Sequence, residues 1–407
     1  MVEFPDRLPI PPEVEKIAHR LDAAGYETWC VGGAIRDNLM QVPNKDFDLA
    51  TAARPEEVRE IFGHRRTIPV GMDHGTVAVL DSSRQTHEVT TFRRDVRTDG
   101  RHAVVEFGAS LDQDLARRDF TINAIAYHPF RFEWKDPFSG REDLAARIVR
   151  AVGDPRQRFR EDYLRILRAL RFASRFGFAI EVHTRAAAEA EVQGLTVLSA
   201  ERVREEWLRG LAGSQRPSAF VLQWRDLGAL DLWLPEVAAH LKAFRGWERL
   251  ADALPKDDPV LLTSVLSADP ERTLDRLRCA NAQIERGRRF ARFRGQLPDV
   301  PDTVSVRRWL AHVGPAADDL ITVAEAQGAD ALRGAVEIER RKGAALTIRD
   351  LAVNGTDLME AGVPEGPEVR RVLEQLLEAV LEAPSLNDRD VLLARVPALM
   401  TATKDRA

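Results

Sequence analysis

The stretch WCVGGAIRDNLMQVPNKDFDLAT, residues 29–51, sets an apolar run before two glycines and an Arg-Asp pair, and places two acids either side of one phenylalanine. This order reads as strand, tight turn, helix and second strand. Gly32 and Gly33 let the backbone come close to a ligand, and N–H groups at a strand-to-helix turn are where a phosphate can rest. Arg36 adds a charged donor. Side chains alternate faces along a strand, so Asp46 and Asp48 project to one side while Phe47 and Leu49 project to the other. Two neighbouring carboxylates repel unless a cation lies between them. Mg²⁺ suits such a place, because it commonly takes one or two carboxylates together with substrate phosphates. Alone, a D-x-D triplet equally marks a solvent-facing strand. Its combination with the glycine turn and Arg36 points to a phosphate-and-metal site.

At 407 residues the chain is long enough for two to four domains at roughly 100–200 residues each. Its 44% hydrophobic and 30% charged residues and net charge of -5 are those of a globular protein. No apolar run reaches the roughly 18–20 residues of a membrane helix, and the N-terminal residues lack signal-peptide order, so a cytoplasmic protein without a membrane partner is expected. Two distant cysteines, Cys30 and Cys279, make no disulfide framework or metal cluster, and Cys30 reads as a packed small side chain.

Over the first ~150 residues short β-branched runs alternate with turns, and PPEVEKIAHRLDAAG and RPEEVREIFG read as helices opened by proline and closed by glycine. From FREDYLRILRALRFASRFG onwards the spacing is helical and the remainder is nearly all α. Within it, RTLDRLRCANAQIERGRRFARFRG gathers Arg272, Arg276, Arg278, Arg286, Arg288, Arg289, Arg292 and Arg294, a patch able to track a phosphate backbone or simply to solvate a helix face.

Three further motifs carry chemistry. Glu88, in the strand-like THEVTTF, is a candidate third acid near the metal. In LARRDFTINAIAY, Arg117 and Arg118 can clamp a triphosphate and Asp119 can accept from a ribose hydroxyl, although an Arg-Asp surface pair would look the same. In REDYLRILRALRF, read as one helix, Glu161 and Asp162 stand one turn from Arg165, with Leu164, Leu167 and Leu170 as the inward stripe. A carboxylate accepting from an exocyclic amino group beside an arginine donating to a ring nitrogen reads a donor-then-acceptor edge. Cytosine and adenine present that edge; uracil and guanine present the reverse.

The motifs GGAIRD with DFD, TTFRRDVRTDGRH, LARRDFTINAIAY, DPFSGREDL, EDYLRILRALRF and SAERVREEWLRGL, in this order, resemble the bacterial and eukaryotic class of CCA-adding enzymes, tRNA nucleotidyltransferases of the polymerase β-like and poly(A) polymerase family. The resemblance is strong over about the first 215 residues and thins beyond. It implies an α+β fold: a nucleotidyltransferase head with a mixed β-sheet (residues 1–150), a helical neck that recognises the base (151–215), a helical body (216–330) and a helical tail that binds tRNA (331–407). It implies template-independent addition of CCA to tRNA from CTP and ATP, with Asp46 and Asp48 binding two Mg²⁺ ions. Gly32, Gly33 and Arg36 match the phosphate-binding turn; Arg117, Arg118 and Asp119 match the ribose motif; Asp162 and Arg165, with Arg168 on the same helix, match the nucleotide-binding template. Asp136 and Gly140 match a segment that flexes, and Glu201, Arg202 and Arg209 a helix-stabilising motif. Arg97, Asp99 and Arg101 resemble the flexible-loop element of the switch to ATP, which disfavours CC-only addition. Neither a phosphohydrolase motif nor a DNA partner is expected. A-only addition or poly(A) synthesis remains the alternative within the class, and a catalytically silent RNA-binding protein the alternative outside it.

Overall fold

The computed structural model describes residues 5–42, 44, 46–72, 75–98, 103–300 and 302–401. The chain divides into two compact units. The first comprises residues 1–248, 256–259 and 276–279, and the second residues 249–255, 260–275 and 280–407.

The first unit opens with α1 (Pro12–Ala23), whose buried Val14, Ile17, Ala18 and Leu21 recur at helical spacing and which stops before Gly25 at φ 92°. Next come β1 (Thr28–Val31), α2 (Gly33–Leu39), β2 (Asp48–Thr51), α3 (Pro55–Phe62), β3 (Thr67–Gly71), β4 (Thr76–Leu80) and β5 (Thr86–Thr91). A hairpin of β6 (Arg93–Thr98) and β7 (Ala103–Phe107) is followed by α4 (Leu111–Ala116), β8 (Ala126–Tyr127), β9 (Trp134–Lys135) and α5 (Gly140–Ala146). Seven strands form one mixed sheet in the order β3-β4-β5-β2-β1-β8-β9, parallel only between β2 and β5. The expected mixed-sheet head followed by helices is therefore present.

Strand alternation sorts the sheet into two faces. Cys30, Leu49, Val77 and Val89 pack with Val14, Ile35 and Val58 from the helices on one face, while Trp29, Val31, Ala50 and Phe92 pack with Leu111 and Leu115 of α4 on the other. Asp48 shares the α4 face with Ala50. Glu88 and Thr90 flank Val89 and share it too, because Leu49 registers with Val89 across the parallel pair. Thus the sheet itself gathers the acids on one side.

After β10 (Ile148–Val149), which pairs with β11 (Ala179–Ile180), the unit continues with α6 (Pro155–Glu161), α7 (Leu164–Phe176), α8 (Val182–Glu191) and α9 (Ala200–Gly213). The single helix expected over residues 160–172 is two helices. Asp162 is extended (φ -155°, ψ 105°), and its Oδ1 accepts from the Leu164 N–H at 3.0 Å, an Asx-type turn that competes with continuation of the helix.

The second unit is helical. Its core gathers Leu358, Val372, Leu376, Val380, Leu392 and Val396. The basic run meets internal partners: Arg286 pairs with Asp319, Arg288 with Glu271 at 2.7 Å, and Arg294 donates to the Ser264 and Ser267 carbonyls. In the first unit Arg276 pairs with Glu236. Much of that charge is therefore spent on holding helices together. Among the described residues, no helix is long and apolar enough to cross a membrane.

Candidate active site

A cavity of about 510 Å³ opens on the α4 face of the sheet. Gly32, Gly33, Asp48, Glu88 and Thr90 line it from the sheet side; Arg117, Arg118 and Asp119 from the segment after α4; Asp162, Arg165, Arg168 and Arg202 from α7, α9 and the break before α7. Motifs spread over 170 residues of sequence meet here.

Gly32 caps α2 at φ 81°, and a Cβ there would lie 3.2 Å from Asp48 Oδ2 and 3.4 Å from Arg118 Nη1. The positive φ favours glycine, and a side chain there would crowd Asp48. Asp48 opens β2, half-buried, whereas Asp46 lies exposed in the loop just before the strand. Phe47 and Leu49 are buried in the opposite core as expected, but Asp46 lies outside the strand and is not among the residues that line the cavity. Burial pushes the Asp48 carboxyl up to about 6, and the charges of Glu88 and Asp46 push the same way against Arg118. A carboxylate raised by its neighbours gains from a cation, so the donor chemistry here fits a hard divalent ion. Among the described residues no three His, Cys, Asp or Glu side chains form a ready-made cage, so such an ion would draw on other oxygens as well.

Arg36, expected as a phosphate donor, also lines the cavity, and it is largely buried and engaged by protein partners. It donates to Asp37 at 2.6 Å and to Asn123 Oδ1 at 2.5 Å, and its guanidinium lies over the rings of Phe172 (5.2 Å) and Phe176 (4.7 Å). It ties α2 to α7. Asp119 is likewise heavily used: Oδ1 accepts from the Phe120 N–H and from Asn123, and Oδ2 accepts from Arg168 at 2.7 Å. Burial opposes its charge, but Arg168 and Asn123 outweigh it and hold the carboxyl down at about 2.

Across the helix break, Asp162 Oδ2 meets Arg202 at 2.7 Å, while Arg165 meets Glu161 at 2.7 Å and donates to the carbonyls of Arg158 and Arg117. Arg202 thus reaches into the site, whereas Glu201 is exposed and Arg209 pairs with Glu205 on the surface. Asp136 caps α5 through the N–H groups of Gly140 and Arg141 at 2.7 and 3.0 Å. Arg97 falls on β6, and Asp99 and Arg101 lie outside the described residues.

Sequence reasoning missed Asn123, Glu206 and Asp114. Glu206, buried on α9, binds Arg171 at 2.6 Å; Asn123 links Arg36 to Asp119. No local pattern announces either. Asp114 stood three and four residues before Arg117 and Arg118, a helical spacing that was legible.

The model described as "Poly A polymerase head domain" matches residues 28–150, one described as an "RNA and SrmB- binding site of polymerase A" matches 177–241, and "tRNA nucleotidyltransferase domain 2" matches 319–396. The CCA-adding enzyme of Lacticaseibacillus paracasei is 35% identical over 413 residues, covering 96% of each chain. The chain belongs to the CCA-adding enzyme family. The likeness runs well past the segment where the quoted motifs end. The CCA-adding enzyme of Bacillus stearothermophilus, solved in complex with CTP, superposes with a TM-score of 0.82 at 32% identity over 98% of this chain and 100% of that one. The fold is also that of the Thermotoga maritima CCA-adding enzyme complexed with tRNA, at a TM-score of 0.65 and 20% identity over 96% of each chain. CCA-adding enzymes are nucleotidyltransferases of tRNA processing and generally metal-dependent. Their near-complete match does not favour a poly(A) polymerase, an A-only enzyme or a silent RNA binder.

Proposed function

We propose that this CCA-adding enzyme works in the cavity on the α4 face, taking CTP and then ATP and building CCA on the tRNA 3′ end without a nucleic-acid template. One observation carries this reading: a single cavity has the carboxylates of Asp48 and Glu88 on one wall and the guanidiniums of Arg117 and Arg118 on another. A nucleoside triphosphate accompanied by a cation needs both.

Asp46 and Asp48 are assigned to two Mg²⁺ ions, with Glu88 as a further acid beside Asp48. Few carboxylates leave room for phosphate oxygens and water around such ions. Bound there, one Mg²⁺ would lower the pKa of the attacking 3′-hydroxyl and the other would hold the triphosphate and offset its charge. The oxygen-to-phosphorus bond forms at the α-phosphate as the bond to pyrophosphate breaks. Gly32 and Gly33 bring backbone close to the phosphates, and Arg117 and Arg118 hold the triphosphate. Asp119 and Arg168 support the ribose side as a mutual pair. Asp162 accepts from the exocyclic amino group and Arg165 donates to the adjacent ring nitrogen, which admits cytosine and adenine.

Arg36, which lines the same cavity, is assigned to the phosphates and also fixes α2. Arg97, Asp99 and Arg101 are assigned to the change from CTP to ATP. We divide the chain into head (1–150), neck (151–215), body (216–330) and tRNA-binding tail (331–407), and place the enzyme in the cytoplasm.

The test is extension, read at single-nucleotide resolution, of tRNA transcripts ending before CCA, after C and after CC, with CTP, ATP or both and Mg²⁺. Completion of all three to CCA is expected. Extension of the CC-ended transcript alone, or a long A ladder, would replace full CCA addition with A-only addition or poly(A) synthesis.

A further inference from the structure

Asp114 lies on α4 with its carboxylate 1% exposed. Its Oδ1 binds Arg117 at 2.9 Å and its Oδ2 binds Arg118 at 3.2 Å, so one buried carboxylate serves two consecutive guanidiniums. We propose that Asp114 is a positioning residue for the nucleoside triphosphate, holding Arg117 and Arg118 side by side at the cavity wall. The inference rests on the assignment of those two arginines to the triphosphate.

Two adjacent guanidiniums repel, and long arginine side chains left to themselves disperse into solvent. Sharing one carboxylate keeps them together and leaves an excess of one positive charge facing an anionic ligand. The charge of Asp114 is itself secured: burial opposes it, but Arg118 and Arg117 outweigh burial and keep the carboxyl below its ordinary value. The platform beneath is firm. Leu111 and Leu115 anchor α4 in the core, and Ser110 and Gln113 close its first turn with a reciprocal cap. The backbone beyond is pinned as well, since Arg165 donates to the Arg117 carbonyl at 3.0 Å and Arg118 donates to the Asn123 carbonyl at 3.3 Å.

Arg118 has a second carboxylate within its surroundings. Its Nη1 stands beside Gly32, on the side where Asp48 Oδ2 approaches the same glycine. With Asp114 neutral, Arg118 is drawn toward Asp48 instead of the triphosphate, and Arg117 loses its charged anchor at Oδ1. Both changes weaken nucleotide binding, and neither touches the tRNA.

The experiment measures kcat and KM for CTP on a tRNA transcript ending before CCA, KM for ATP on one ending in CC, and KM for each transcript. It compares the unaltered full chain with Asp114→Asn, Asp114→Glu, Arg117→Ala and Arg118→Ala. Asp114→Asn is expected to raise KM for both nucleotides about tenfold or more, with KM for the transcripts within about twofold. Asp114→Glu, which moves the same charge by one methylene, is expected to raise the nucleotide KM about threefold. A fall in kcat with nucleotide KM unchanged, as a loss of folded protein would give, overturns the proposal. Should the Asn variant not fold, the Glu variant decides on the same criterion. If the arginine variants raise nucleotide KM and the Asp114 variants do not, only the role of Asp114 fails. If neither arginine variant alters nucleotide KM, the assignment of the clamp fails first.

Discussion

The Asp162 carboxylate lies 2.7 Å from the Arg202 guanidinium, forty residues further along the chain on another helix. Its other oxygen accepts the Leu164 N–H, so the carboxylate is oriented from both ends. Arg165 is oriented in turn by Glu161. Each half of the proposed base-reading pair thus has its own support.

Arg165→Ala is expected to weaken selection of C and A over U and G by on the order of 1–3 kcal/mol, the worth of a bidentate base contact. Arg202→Ala should weaken it by about tenfold or less, because Asp162 stays present but turns more freely. Competition between CTP and UTP on one transcript measures both. Undiminished discrimination in both variants would remove the pair from base recognition.

Asp48 makes opposite demands on activity and stability. Its carboxyl is raised from 3.8 to about 6, so the folded protein binds that proton more tightly than the unfolded chain does. Stability is therefore lost as pH rises from about 4 to about 6, and the penalty persists above that range. Asp48→Asn should abolish nucleotide incorporation, leave tRNA binding intact and stabilise the metal-free protein by on the order of 1–3 kcal/mol at pH 8, with no gain at pH 4. Urea unfolding in chelator at the two pH values is the measurement. Added Mg²⁺ should then stabilise the unaltered protein more than the variant.

In the second unit, Arg307 is buried against Glu339 at 2.7 Å and also donates to the carbonyls of Leu381 and Glu382. One guanidinium joins three segments. Glu339→Ala leaves it without its counter-charge and should cost about 3–5 kcal/mol, whereas replacing both partners by apolar residues of similar volume should cost far less. Denaturant unfolding of the two variants checks the difference.

Gly140 sits where a Cβ would fall 2.2 Å from the Thr121 carbonyl oxygen and 2.8 Å from Ile125. Gly140→Ala is expected to destabilise the first unit by about 1–3 kcal/mol through overpacking. Unchanged thermal unfolding would mean that the segment from Asp136 to Gly140 yields readily.

Much of the site was legible because its determinants are local. The glycine turn, the alternation that buries Phe47 and Leu49, and the helical stripe through Leu167 and Leu170 follow from the period of a strand or a helix. The partners of Arg36 were not legible. Asn123 is eighty-seven residues away, and nothing in GGAIRD shows that the guanidinium also lies over two phenylalanine rings. The continuous helix expected through Asp162 failed because helical spacing holds only while the backbone stays helical. The turn at Asp162 ends it through a bond made by the side chain itself.

By itself the sequence determined the family, the mixed sheet followed by helices, and the residue types available to the site, since these depend on periodicity, turn chemistry and motif order. Only the tertiary structure decided which charges pair. Arg202 took Asp162, Arg168 took Asp119 and Arg171 took Glu206, because pairing depends on which side chains burial brings within about 3 Å of each other. Spacing along a chain determines that distance only within a single turn of helix or a pair of neighbouring strands.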